Sequence, residues 1–197
     1  MKNESTAKYI IRLTATLLAI CAVVALALAG VNAVTKDKIA ANKAAKTTAA
    51  LQQVVPFQGE VAEVPFVDET GMVSKVYSVT MDTRNSDNMV LRAVGYAVEV
   101  VPSGFGGTIT MMVGVSVDGR VTGISIISHT ETPGLGAVAA ANTDKGAAFR
   151  DQFAGLVSGI TIGSGENQID SISGATISSQ AIVDGVNAAL DCIKNMG

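Results

Sequence analysis

The chain has 197 residues, which suffice for one compact domain and an accessory segment; 48% of them are hydrophobic and only 16% are charged. The overall charge is −3, but from Glu60 onward seven Lys and Arg stand against fifteen Asp and Glu, a net charge of −8. An acidic domain of this kind offers no basic face to a phosphate backbone, so nucleic acid is excluded as an expected partner.

An apolar segment near the N-terminus contains no charged residue from Leu13 to Val34. At 1.5 Å per residue this segment forms a helix of about 33 Å, which matches the hydrocarbon core of a bilayer. A cleaved signal peptide is the alternative, because three basic residues precede the run and Ala27-Leu28-Ala29 resembles a cleavage site. The run exceeds the ~7–15 apolar residues of a typical signal peptide, so residues 1–34 are interpreted as a cytoplasmic tail and a transmembrane helix.

The segment after the span is rich in Ala and Lys and lacks helix breakers until Pro56. Residues 35–55 are therefore predicted to form a helical stalk, and residues 56–197 the globular domain. Lysines lie close to the span on this side too, so the positive-inside rule is nearly balanced and does not fix the orientation.

Short β-rich runs separated by turn residues follow the stalk. The runs at 72–79 and 91–100 predict two strands, with a polar loop, Asn85-Ser86-Asp87-Asn88, between them. Two further β-rich runs, 108–117 and 120–127, flank Asp118-Gly119, a dipeptide that suits a two-residue type I′ hairpin turn. An antiparallel sheet is therefore predicted.

The C-terminal part predicts two helices and one more strand. Residues 143–156 have partly helical spacing of apolar residues, and glycines then favour a return to strand at 160–162. Residues 177–196 repeat apolar residues at spacings of three and four, which predicts one buried helical face. The predicted fold class is α+β: a single N-terminal transmembrane helix, then one domain with an antiparallel sheet packed by helices.

The two cysteines and the single histidine form no disulfide or metal-binding pattern. Cys21 lies inside the apolar span and Cys192 lies near the C-terminus, so no intrachain disulfide between them is expected. Glu131 and Asp170 are two carboxylates near candidate motifs, but nothing in the sequence brings them together. The sequence predicts no metal site and no catalytic residue.

A run of small and polar residues, Asp170-Ser171-Ile172-Ser173-Gly174-Ala175-Thr176, lies directly before the last helix. Small side chains let a ligand approach the backbone, and Thr176 occupies the position expected for an N-cap. The free N–H groups and the helix dipole favour a phosphate there without a nearby Lys or Arg. An ordinary helix cap has the same pattern, so spacing alone does not identify a ligand.

Two other segments draw attention. His129-Thr130-Glu131-Thr132-Pro133-Gly134-Leu135-Gly136 contains the only histidine, and a lone histidine is commonly structural. Ser103-Gly104-Phe105-Gly106-Gly107 is glycine-rich but lacks the Lys and following Ser or Thr of a phosphate-binding P-loop, and it does not open a helix. It is therefore not a nucleotide motif.

Residues 170–176 resemble the D-x-x-[S/T]-G-A-T pattern of proteins that carry FMN through a threonyl phosphoester bond. Residues 129–136 resemble a second segment of the same family, which comprises the G subunit of the Rnf electron-transport complex and the C subunit of the sodium-pumping NADH:quinone reductase. Both segments occur here in the family's order, about forty residues apart, behind a single N-terminal span.

The resemblance implies that FMN is covalently attached to Thr176, and that Ser173, Gly174 and Ala175 shape the phosphate turn. The residues that it implies to line or neighbour the flavin are His129, Glu131, Thr132, Leu135, Gly136 and, beside the ring, Phe105. His129 would either contact the flavin or orient Glu131.

The resemblance also implies a redox relay that passes electrons between partner subunits, in a complex that couples ferredoxin:NAD⁺ electron transfer to ion translocation. The expected partners are other membrane subunits and the flavin transferase that attaches FMN. The expected location is the plasma membrane, single-pass, with the C-terminal domain on the extracytoplasmic side. There are three alternatives. The first is the corresponding subunit of the quinone reductase, which tends to be longer than 197 residues. The others are a stand-alone flavodomain and a non-redox surface domain.

Overall fold

The computed structural model describes residues 3–55, 59–85 and 88–196. Its elements in chain order are α1 (Asn3–Val54), β1 (Glu60–Val64), β2 (Val73–Asn85), β3 (Asn88–Val100), β4 (Thr110–Ser116), β5 (Val121–Ser128), a 3-10 helix (Gly136–Ala140), α2 (Asp144–Asp151), β6 (Thr161–Ile162), β7 (Gln168–Ile169) and α3 (Thr176–Met196). The predicted α+β class is confirmed.

The predicted span and the predicted stalk form one uninterrupted helix, α1. Residues 8–54 of this helix contain an 18-residue window with a mean hydropathy of 2.5, and none of that window is buried. Within the described ranges, α1 is the one helix long and apolar enough to cross a membrane. The chain divides into two compact units, residues 1–45 and residues 46–197. The last turns of α1 thus belong to the globular unit.

The first five strands form one antiparallel sheet in the order β1-β2-β3-β4-β5, so each strand pairs with its neighbour in sequence. Strands β2 and β3 extend beyond the predicted runs, because their pairing continues as far as Asn85 opposite Asn88. The polar loop predicted there is therefore the end of a hairpin. Its two central residues, Ser86 and Asp87, lie outside the described residues.

The β4–β5 hairpin is confirmed, but the predicted type I′ turn at its end is wrong. The Ser116 N–H donates to the Arg120 carbonyl at 2.8 Å and the Gly119 N–H donates to the Ser116 carbonyl at 3.0 Å. These bonds enclose three loop residues, with Gly119 at φ +73° and Asp118 outside the positive-φ region. The arrangement is that of a type I turn followed by a left-handed glycine, which spares Asp118 an unfavourable φ.

Helix α3 packs on one face of the sheet, and its predicted buried face is confirmed. The buried side chains of this face, which share a core with β2, β3 and β4, are Ile182, Val183, Val186, Ala189, Leu190 and Ile193. Helix α2 is shorter than the predicted 143–156, because turns begin after Asp151 and Gly155 has a φ of +83°. The strand predicted at 160–162 is the short β6, which pairs in parallel with β7.

The last turns of α1 pack on the opposite face of the sheet. Val54 is buried there, and the Thr122 hydroxyl donates to its carbonyl at 2.6 Å. A Cβ on Gly114 would collide with this carbonyl, whereas one on Gly123, directly across the strand pair, would meet nothing within 4 Å. Gly114 therefore provides the space in which the end of α1 sits against the sheet.

We expect Gly114→Ala to lower the free energy of unfolding by about 1–3 kcal/mol, because the added methyl displaces the end of α1. Gly123→Ala, at the matched open position, should change it by less than about 1 kcal/mol. Urea denaturation of the detergent-solubilised chain measures both values. Equal effects of the two substitutions would contradict the assigned packing.

Candidate functional site

A pocket of about 390 Å³ opens beside the first turn of α3, a volume in the range that small ligands occupy. It is lined by Phe105, Glu131, Thr132, Leu135, Gly136, Gly174, Ala175, Thr176, Ile177 and Ser178. The structure therefore brings together three segments that are distant in the sequence: the glycine-rich loop, the segment after β5 and the start of α3.

Two of the predicted site residues do not line this pocket. Ser173 is exposed in the turn that precedes α3. His129 lines a separate polar cavity together with Lys46 and Asn142, and its Nδ1 accepts the backbone N–H of Glu131 at 3.2 Å. His129 thus lies outside the pocket and forms a hydrogen bond with the backbone of Glu131.

The turn before α3 depends on Gly174, which has a φ of +76°. The Ala175 N–H donates to the Ile172 carbonyl at 2.9 Å, so these four residues form a turn with glycine in the third position, as a type II turn requires. Ser179 supports the turn from within the helix, because its hydroxyl accepts the Ile172 N–H and donates to the Ala175 carbonyl, both at 3.0 Å.

The predicted N-cap at Thr176 is displaced by one residue. The Ala175 carbonyl accepts the first helical bond, from the Ser179 N–H at 2.9 Å, so Ala175 is the N-cap and Thr176 is the first helical residue. The reason is that the Ser179 side chain organises the helix start. Because Thr176 is inside the helix and not at the N-cap, its hydroxyl has no capping role.

The three hydroxyl groups at the start of α3 differ sharply in their surroundings. Ser178 and Ser179 are buried and hydrogen-bonded to groups of the protein. Thr176 is exposed, and its hydroxyl has no hydrogen-bond partner within the described ranges. The backbone N–H groups of residues 176–178 likewise have no acceptor in the described part of the chain. These donors and the positive end of the helix dipole are available to an anion in the pocket.

Glu131 supplies the carboxylate of the pocket wall, and each of its oxygens accepts a hydrogen bond from the protein. Its Oε1 accepts the Gly106 N–H at 3.0 Å and its Oε2 accepts the Ser178 hydroxyl at 2.6 Å. Ser178 was not among the predicted site residues. The pattern that could have indicated it is a polar residue one turn before Ile182, at a position that continues the buried apolar face of α3.

The mouth of the pocket is apolar. Phe105, Leu135 and Ile177 are 69%, 43% and 59% exposed, although each is a large hydrophobic side chain. Lys and Arg do not occur among the lining residues, and no group of three metal-ligating side chains occurs in the described residues. An apolar mouth beside free helical N–H groups suits a ligand with a planar apolar ring and a phosphate.

The chain is an FMN-binding-domain protein with an apolar N-terminal helix. The family of FMN-binding domains matches residues 104–191, and the RnfG N-terminal region matches residues 1–54. The chain belongs to the family of Rnf complex G subunits, and the sequence-based recognition is confirmed.

The relatives that establish this membership match over nearly their whole length. The chain is 35% identical to the G subunit of the Na⁺-translocating ferredoxin:NAD⁺ oxidoreductase complex of Acetobacterium woodii, over 96% of this chain and 94% of that protein. It is 32% identical to the G subunit of the ion-translocating oxidoreductase complex of Methanosarcina acetivorans, over 96% of this chain and 97% of that protein.

A solved structure to which the chain shows some similarity is that of the C subunit of the Na⁺-translocating NADH-quinone reductase of Parabacteroides distasonis. It shares 20% identity with this chain, covers 59% of each chain and gives a TM-score of 0.42. The fold assignment therefore rests on the strand order and register of this chain itself.

We expect Gly174→Ala to lower the free energy of unfolding by about 1–2 kcal/mol, since a φ of +76° is unfavourable for a residue with a Cβ. Gly174→Asn should lose less, because Asn tolerates this conformation better. Urea denaturation of the full chain in detergent compares the two. An alanine variant as stable as the parent would contradict the assigned turn.

Proposed function

We propose that the chain is a membrane-anchored flavoprotein subunit that relays electrons through FMN within an ion-translocating ferredoxin:NAD⁺ oxidoreductase complex. The observation that carries the proposal is the exposed Thr176 hydroxyl on the pocket wall, at the open N-terminus of α3. The names of the relatives support the same complex, because both are G subunits of ion-translocating oxidoreductases.

The FMN is bound covalently, through a phosphoester between its phosphate and the Thr176 hydroxyl, and a flavin transferase makes the bond. Esterification formally joins FMN and the threonine with loss of one water. The free N–H groups of residues 176–178 are available to donate to the phosphate oxygens, so that no lysine or arginine is needed. Ser178 and Ser179 are poor candidates for attachment, because both hydroxyls are buried and bonded.

The apolar mouth of the pocket holds the flavin ring. Phe105, Leu135 and Ile177 would bury exposed apolar surface against it, which favours binding by the hydrophobic effect. FMN supplies the redox chemistry, and the chain supplies binding, orientation and the local environment that tunes it. Among the lining residues Glu131 is the one carboxylate, and each of its oxygens accepts a hydrogen bond from the protein.

The proposed arrangement in the cell is the one that the family resemblance implies, and α1 is long and apolar enough to provide the membrane span. Residues 1–34 form a cytoplasmic tail and the transmembrane helix, residues 35–55 the stalk, and residues 56–197 the extracytoplasmic FMN-binding domain. A covalent bond retains the cofactor on that side, where free FMN would diffuse away. Other membrane subunits of the complex are the electron-transfer partners. The acidic domain is repelled by anionic headgroups and so is held at the membrane by its helix.

We expect Thr176→Ala, expressed with its flavin transferase, to lose covalent flavin completely while the domain stays folded, because only an exposed hydroxyl is removed. Ser164→Ala removes an exposed hydroxyl outside the attachment motif and should retain the flavin. In-gel flavin fluorescence of the denatured chains detects the covalent form. Fluorescence in the Thr176 variant, or its loss in the Ser164 variant, would contradict attachment at Thr176.

The orientation is testable with a cysteine placed on the exposed β4–β5 turn. Val117 is 52% exposed, whereas native Cys192 is buried and native Cys21 lies in the apolar span. We expect a membrane-impermeant maleimide to label Val117→Cys in intact cells, and to label Lys8→Cys only after lysis. The reverse pattern would place the domain in the cytoplasm.

A further inference from the structure

The carboxylate of Glu131 joins two segments of the pocket wall that are far apart in the sequence. Its hydrogen bonds reach Gly106, 25 residues before it, and Ser178, 47 residues after it. Glu131 is only 6% exposed; its bond to Ser178 is buried and its bond to Gly106 is partly buried. Hydrogen bonds to a carboxylate are stronger than those between neutral groups, so they hold their partners in defined positions.

Two glycines make room for this carboxylate, and a third makes room for the backbone beside it. A Cβ at Gly104 would collide with Oε1 of Glu131, and one at Gly136 would lie 2.5 Å from Oε2. A Cβ at Gly106 would collide with the carbonyl of Thr130. The glycines of the loop are therefore explained by close approach to the segment around Glu131, and a phosphate-binding role is not needed to account for them.

We propose that Glu131 is a positioning residue, which fixes the loop carrying Phe105 against the first turn of α3 and beside Thr176. Phe105 lies between Gly104 and Gly106, so its place at the pocket mouth depends on where those glycines are held. Its relevance to FMN rests on the proposed function. The hydrogen bonds themselves are properties of the flavin-free chain.

A different role for the same carboxylate is direct electrostatic action on the cofactor, and the two roles respond differently to Glu131→Gln. A glutamine has an acceptor oxygen for the Gly106 N–H and donor hydrogens for the Ser178 oxygen, which accepts as readily as it donates. The substitution therefore keeps both hydrogen bonds and removes the charge. Glu131→Ala removes the charge and both bonds.

The first measurement is hydrogen exchange of the Gly106 amide in the full, flavin-free chain in detergent. Glu131→Ala should speed this exchange about tenfold to a hundredfold, the range that corresponds to a lost hydrogen bond to a charged group. Glu131→Gln should retain most of the protection, and Glu166→Ala, at an exposed carboxylate, should leave it unchanged. Ser178→Ala, a milder change, should produce an intermediate increase even if Glu131→Ala fails to fold.

The second measurement is the visible spectrum and midpoint potential of FMN in the loaded chain. The spectrum and the potential should both change in Glu131→Ala and stay close to the parent values in Glu131→Gln. Unchanged Gly106 exchange in both Glu131→Ala and Ser178→Ala would overturn the proposal, as would a Gln variant that shifts the potential as far as the Ala variant. If the parent chain itself binds no FMN, the proposed function fails, and the Gly106 exchange still decides the role of Glu131.

Discussion

The burial of one face of α3 against the sheet is the constraint on which the site depends. The apolar side chains of that face fix where the helix lies, and its first turn thereby becomes one wall of the pocket. The same buried face ends in Ser178, whose hydroxyl meets Glu131 instead of an apolar neighbour. The same helix therefore completes the core and forms the site, because its first turn carries Thr176 and the free N–H groups.

The structure of the site explains how an acidic domain can bind a ligand that carries a phosphate. Helical N–H groups provide partial positive charge without any basic side chain, and their strength depends on geometry alone. The nearby negative charge of Glu131 is held by two donors and is only slightly exposed. A net charge of −8 weakens the non-covalent binding of an anion to the domain. A covalent bond to Thr176 would hold the anion despite this repulsion.

Much of this architecture could be predicted from local pattern. The spacing of apolar residues in 177–196 predicts α3 and its buried face, and an uncharged apolar run predicts the spanning part of α1.

Features that depend on strand register or on distant contacts were harder to predict. The dipeptide Asp118-Gly119 fits a two-residue or a three-residue turn, and only the pairing of β4 with β5 selects the latter. The start of α3 was misplaced by one residue because the supporting Ser179 lies inside the helix. The contact of Glu131 with Ser178 spans 47 residues and has no local signature.

Covalent attachment of FMN to Thr176 is tested by the intact mass of the unmodified sequence, produced together with a flavin transferase and followed by peptide mapping of residues 172–182. This attachment predicts an added mass of one FMN less one water, located on Thr176. A chain without added mass under these conditions would contradict it and return the Ser173–Thr176 turn to the role of an ordinary helix start.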